Sequence, residues 1–314
     1  MKSRIVGTAL ASIIALGLLT GCPDDPAPPA PTPASSTKAP ASATAPASAA
    51  ASESDKRPSA LHNVNEGAIK PSVKGEEVSY EVDGVKLKGY LAYDADIEGE
   101  RPGILVVHEW WGHNDYARKR ANMLAEMGYT ALAVDMYGDG KTASHPDDAG
   151  KFAGAVRKNM DVAEARFRAA VEILASHETV NPGQISAIGY CFGGGIVLAM
   201  ARRGADLDLV ASFHGSVSTD RPAEKGQVKA RLAVFNGAAD PMVTAAQIEA
   251  FRTEMDNAGV DYLLVNYPNA LHAFTNPDAD AYAGKFGLPL KYDAEADTDS
   301  WNRLNGLLRE VYVK

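Results

Sequence analysis

The sequence predicts an α/β domain with a mostly parallel central sheet, helices on both faces and a short antiparallel hairpin at its start. Three observations carry this. From about residue 76, short β-rich runs alternate with segments of helical periodicity. The internal runs are almost continuously apolar, as strands covered on both faces are. The first two runs are instead separated by Asp83-Gly84, a two-residue turn signal that joins antiparallel neighbours.

Taken in order, residues 78–82 and 85–93 read as the hairpin. Apolar runs at 103–107, 130–134, 185–190, 209–213, 232–235 and 262–265 read as buried strands. Helical spacing fills the intervals at 116–127, 160–175, 194–202, 245–258 and 299–311. The polar, glycine-containing stretch 138–160 reads as a loop over the active site, from which His145 or Arg157 could reach a substrate or remain solvated.

The chain has 314 residues, 46% hydrophobic and 23% charged, a globular balance that permits a sizeable core. Lys and Arg total 31 against 40 Asp and Glu, giving a formal charge of −9. That balance argues against a nucleic-acid partner, because phosphate binding rests on excess positive charge. The only cysteines are Cys22 and Cys191. A multi-disulfide scaffold and an all-cysteine zinc site are thereby excluded.

The N-terminal segment is an address. Lys2 and Arg4 precede an apolar run over 5–19, too short to span a bilayer as a helix, so residues 1–21 read as a secretory signal peptide. Leu19-Thr20-Gly21-Cys22 resembles a bacterial lipobox. That resemblance implies diacylation of Cys22, cleavage before it, and a lipid-anchored protein in the bacterial cell envelope, on the periplasmic face of the inner or outer membrane in a diderm. Of the 35 residues from 23 to 57, 28 are Ala, Pro, Ser or Thr, a composition that cannot bury a core. Residues 22–60 are expected to be a lipidated cysteine and disordered spacer about 30–40 Å in reach, and 61–314 the catalytic domain.

In a parallel α/β sheet, reactive groups sit at the carboxyl ends of strands. After the strand at 185–190 comes Gly189-Tyr190-Cys191-Phe192-Gly193, followed by Gly194, Gly195 and an apolar helix. This is a nucleophile elbow with cysteine in the serine position, its glycines permitting a sharp strand-to-helix turn. A helix N-terminus also favours a thiolate. Asp240 and His272 follow the next strands, so nucleophile, acid and base occur in α/β-hydrolase order. His272 can deprotonate Cys191 while Asp240 orients the imidazole. His108, Glu109 and His113 superficially suggest a zinc motif, but the histidines are five apart, follow a strand and enclose Gly112. No metal or other cofactor is expected.

Together, His108-Glu109-Trp110-Trp111-Gly112-His113-Asn114, the cysteine elbow, Gly237-Ala238-Ala239-Asp240 and Ala270-Leu271-His272-Ala273-Phe274 resemble the dienelactone hydrolase family. The resemblance covers essentially all of the chain from residue 76. It implies an α/β-hydrolase fold and a carboxylic ester or lactone substrate cleaved through an acyl-cysteine. It also implies that Glu109 helps deprotonate the thiol, and that the backbone N–H groups of Trp110 and Phe192 form the oxyanion hole. Trp111, His113, Tyr137, His214 and Asn276 are candidates for the substrate pocket. Asn276 is a departure, because the original dienelactone hydrolases place a carboxylate-binding arginine four residues beyond the histidine. A second reading from another class is a degenerate hydrolase fold serving as a tethered envelope binding protein. The complete Cys191, Asp240, His272 and Glu109 set favours catalysis over that reading.

Overall fold

The computed structural model describes residues 71–312. The expected signal peptide, Cys22 and spacer lie outside the described residues. Eight strands form one sheet in the order β1-β2-β4-β3-β5-β6-β7-β8. β1 (Val73–Val82) and β2 (Val85–Asp94) pair antiparallel. Their turn residues Asp83 and Gly84 both have positive φ, the backbone that a two-residue hairpin requires. β2 is antiparallel to β4 (Thr130–Val134) as well. β3 (Arg101–Val107) to β5 (Val180–Tyr190), and then β6 (Leu209–Phe213), β7 (Arg231–Gly237) and β8 (Tyr262–Tyr267), continue in parallel.

Alternation along the central strands supplies two cores. On β3, Leu105 and Val107 face one layer and Ile104 and Val106 the other. The first layer receives Phe167 and Leu174 of α3 (Met160–Ala175), Ile196 of α4 (Phe192–Arg202) and Phe251 of α5 (Ala245–Ala258). The second receives Ala121 and Leu124 of α1 (Asp115–Glu126) and Leu304 and Leu308 of α7 (Ala294–Tyr312). Strands buried on both faces are thus apolar at successive positions, which is why their sequence lacks polar alternation.

Two helices were not expected from the sequence. α2 (Pro146–Arg157) occupies most of the stretch read as a polar loop, and α6 (Ala279–Phe286) precedes α7. α2 begins with His145 accepting from the Asp147 N–H at 3.2 Å, has Pro146 in its first turn, and carries Asp147 and Asp148 against the helix dipole. It buries Ala149, Ala153 and Val156 at spacings of four and three. Because those anchors are small, the segment's overall polarity concealed a helical face.

Candidate active site

Cys191 stands between the end of β5 and the start of α4 with φ 51° and ψ −111°, a strained backbone for a residue with a Cβ. The turn is held by the Cys191 N–H donating to the Phe213 carbonyl at 3.0 Å and the Gly193 N–H donating to the His108 carbonyl at 3.1 Å. Two glycines make this crossing possible. A Cβ on Gly189 would lie 2.2 Å from the Gly193 oxygen, and one on Gly193 would lie 2.2 Å from the Val107 oxygen. The thiol is half-buried and not in a disulfide.

Asp240 follows β7, and its Oδ2 lies 2.7 Å from His272 Nδ1. Its other oxygen accepts the Met242 N–H at 2.8 Å, so both carboxylate oxygens are directed. The loop bearing His272 is fixed by its neighbours. The Lys291 N–H donates to the His272 carbonyl at 3.1 Å, and the Ala239 N–H of the Asp240 turn donates to the Ala270 carbonyl at 3.1 Å. Both side chains are buried, at 3% and 5% exposure, while His272 Nε2 has no hydrogen-bond partner among the described residues. Burial disfavours the imidazolium, but the adjacent Cys191 sulfur and the Asp240 carboxylate outweigh it and raise the His272 pKa. His272 therefore has one nitrogen committed to Asp240 and the other available toward the thiol.

Glu109 lies just beyond the end of β3, only 2% exposed. Burial pushes its carboxyl up to about 7, opposed by the hydrogen bond from Asn276 and by the charges of His272 and Arg120. Asn276 Nδ2 donates to Glu109 Oε2 at 2.7 Å, while Asn276 Oδ1 accepts the Asp278 N–H at 2.9 Å, which sets the orientation of the amide. No hydrogen bond links Glu109 to Cys191 among the described residues; the bonded partner of the carboxylate is Asn276.

The backbone N–H groups of Trp110 and Phe192 make no hydrogen bond to protein among the described residues. His108 orients the first of them. Its Nε2 accepts the Met136 N–H at 3.3 Å, so Nδ1 carries the proton and donates to the Glu109 carbonyl at 2.5 Å. In a planar trans peptide this also sets the direction of the following N–H, that of Trp110. Tyr137 donates to the Trp110 carbonyl at 3.0 Å, holding the next peptide. Burial keeps His108 neutral, with its pKa lowered to about 4, as an imidazole that donates and accepts must be. Sequence reasoning treated His108 only as a possible metal ligand, since nothing in one dimension shows which carbonyl it reaches.

A cavity of about 370 Å³ opens on the thiol. Cys191 and His272 form part of its wall, Trp110, Met242, Val243 and Leu290 supply apolar surface, and Arg157 and Ser216 the remainder. Trp111, His113, Tyr137, His214 and Asn276 are not on this wall. Trp111 stacks on Tyr282 with ring centroids 4.4 Å apart. His113 is buried without a hydrogen-bond partner, and burial lowers its pKa to about 3. His214 packs edge-on against His272 at 5.3 Å and pairs with Thr275 Oγ1 at 2.7 Å. Tyr137 and Asn276 hold the backbone of Trp110 and the carboxylate of Glu109 respectively. Of the five, Tyr137, His214 and Asn276 contact Trp110, His272 and Glu109 respectively. His145 caps α2, whereas Arg157 at its other end reaches the cavity. Met242, Val243, Ser216 and Leu290 were missed, because loops distant in sequence converge on the thiol only in the fold.

The elbow, the strand order and the positions of these groups at the carboxyl edge of the sheet can be compared with known proteins. The dienelactone hydrolase family model matches residues 87–312. This chain belongs to the dienelactone hydrolase family. Like the family as a whole, it is a hydrolase of the ester and lactone kind. It is similar to the dienelactone hydrolase-like promiscuous phosphotriesterase P91 from metagenomic libraries, at 31% identity and TM-score 0.72, over 77% of this chain and 99% of that one. Another solved structure, m3DLH, is 33% identical with TM-score 0.72 at the same coverage. Protein usf of Aquifex pyrophilus is 28% identical over 241 residues, 75% of this chain and 98% of the relative. The shared region begins in β2 and ends in α7.

Proposed function

We propose that this dienelactone hydrolase family member cleaves carboxylic esters or lactones through a Cys191, His272 and Asp240 triad and an acyl-cysteine intermediate. The observation that carries the reading is the 2.7 Å Asp240 to His272 contact, which leaves Nε2 unpartnered beside a cavity walled by Cys191. His272 takes the Cys191 proton, and sulfur bonds to the carbonyl carbon. The resulting oxyanion is met by the N–H groups of Trp110 and Phe192. Collapse breaks the carbon–oxygen bond, and the His272 proton passes to the departing alkoxide. Water, deprotonated by His272, then attacks the thioester; the carbon–sulfur bond breaks, the acid leaves and the thiol is restored. Glu109 supplies a second proton acceptor near neutrality. The lipobox supports attachment of the chain to the cell envelope through Cys22.

The decisive measurement is the initial rate of aryl acetate hydrolysis, under reductant, by wild type and Cys191→Ala. Turnover by wild type with a loss of at least a thousandfold in the variant is expected. Equal rates remove the thiol mechanism. No turnover by either folded protein favours a binding role for the cavity.

A further inference from the structure

Beside His272 lies a second imidazole that the proposed reaction does not use. His214 follows β6, is fully buried, and meets the His272 ring edge-on at 5.3 Å and 68°. It also packs edge-on against Phe274 at 5.2 Å and lies 6.0 Å from Tyr190, the residue before Cys191. Its backbone is left-handed, with φ 41°, and Ala273, next to His272, has φ 59°. Residues with a Cβ keep such conformations only where their surroundings fix them.

Here a chain of buried hydrogen bonds runs from His214 to α1 and α7. His214 Nε2 pairs with Thr275 Oγ1 at 2.7 Å, and Thr275 Oγ1 with the Tyr116 hydroxyl at 2.6 Å. Arg120 Nε donates to that Tyr116 hydroxyl at 3.2 Å. Arg120 is 3% exposed, and one of its terminal nitrogens donates to the Thr275 carbonyl at 2.7 Å and to Asp297 Oδ1 at 2.6 Å. The order of protons along the chain follows from its charged end. A guanidinium can only donate, so the Tyr116 oxygen accepts from Arg120. Arg120 already supplies the Thr275 carbonyl, which lies 3.2 Å from the Tyr116 hydroxyl, so the Tyr116 proton is directed at the nearer Thr275 Oγ1. Thr275 then gives its own proton to His214 Nε2, and the His214 proton resides on Nδ1. Burial lowers the His214 pKa well below the ordinary value, in accord with a ring that accepts at one nitrogen.

We propose that Arg120, Tyr116 and Thr275 are positioning residues for the general base: donation runs one way from Arg120 to His214 and holds it in a single tautomer, and the His214 ring sets the plane of His272. The Asp240 contact fixes His272 at Nδ1 alone. A hydrogen bond tolerates a range of angles, so the direction of Nε2 toward the thiol depends on what the ring packs against. The role of His272 as base rests on the ester-hydrolase reading, whereas the tautomer of His214 is independent of it.

Full chains labelled with nitrogen-15 histidine are compared by NMR at pH 7, with the His214 resonances identified by their loss in His214→Gln. Wild type and Thr275→Ser are expected to carry the His214 proton on Nδ1, and Thr275→Val and Tyr116→Phe to spread it over both nitrogens. A His214 protonated at Nε2 in wild type, or an unchanged pattern in both variants, overturns the proposal. In aryl acetate hydrolysis, Thr275→Val is expected to lower kcat about tenfold with KM within about twofold of wild type, and Thr275→Ser to restore kcat. Urea unfolding of the same proteins separates positioning from packing, since a lower midpoint with kcat and tautomer unchanged also overturns the proposal. If wild type hydrolyses no aryl acetate, the ester-hydrolase reading fails, and alkylation of Cys191 by iodoacetamide at pH 7, in chains carrying Cys22→Ser, takes the place of kcat. A slower reaction in Thr275→Val than in Thr275→Ser then supports the positioning of His272, and equal rates overturn it.

Discussion

Glu109 carries the most consequential single charge in the site. Its folded pKa of about 7 lies above the ordinary 4.5, chiefly through burial, so folding favours the protonated acid. The associated stability is fully present below pH 4.5 and is lost as pH rises through 7, where the buried carboxylate ionises. At 1.36 kcal/mol per pH unit the loss is on the order of 3 kcal/mol. Urea unfolding of wild type and Glu109→Gln across pH 4.5 to 8 should therefore show the variant gaining on wild type by about that amount as pH increases. Parallel curves would mean that the carboxyl is already ionised in the acidic folded state. The presence and order of Cys191, Asp240 and His272 were readable in the sequence, because the elbow glycines and the strand ends mark their positions. The Asn276 bond to Glu109 was not readable, since 167 residues separate the two.

At the scale of elements, the crossing of α4 over the ends of β3 and β5 positions the thiol. Gly193 has no space for a Cβ, because the backbone oxygen of Val107 would lie 2.2 Å away and cannot retreat without moving β3. Gly193→Ala should cost about 1–3 kcal/mol in urea unfolding and lower activity through displacement of Cys191. Gly154, in the interior of α2, meets nothing within 4 Å. Gly154→Ala should instead stabilise by about 0.5–1 kcal/mol, through the greater helix propensity of alanine. The two substitutions thus separate packing constraint from backbone entropy. The contrast also explains why α2 was missed: its glycines and small anchors weaken the periodic signal, while Arg157 at its C-terminal end reaches the active-site cavity.

For the whole molecule, the described domain supplies the chemistry, and the preceding sequence is proposed to supply its location. Cys22→Ser should abolish incorporation of labelled fatty acid and move the protein from the membrane to the soluble fraction after cell fractionation. Continued membrane retention with no acyl label would require a different attachment. The acidic composition makes electrostatic adhesion to anionic headgroups a poor substitute, whereas two acyl chains contribute about 0.8 kcal/mol for each buried CH2.

By itself, the sequence determined the α/β class, the hairpin, the buried strands and the positions of Cys191, Asp240 and His272 after β5, β7 and β8. Each is encoded locally, by apolar runs, turn glycines and the positions that follow strands. Tertiary structure alone decided which groups surround the thiol, because His108, Asn276, Arg157, Ser216 and Leu290 arrive from different segments. It also placed Trp111, His113, Tyr137, His214 and Asn276 off the wall of the thiol cavity, with burial lowering the pKa values of His113 and His214. Distance in sequence carries no information about those contacts; the crossing of helices over the carboxyl edge of the sheet creates them.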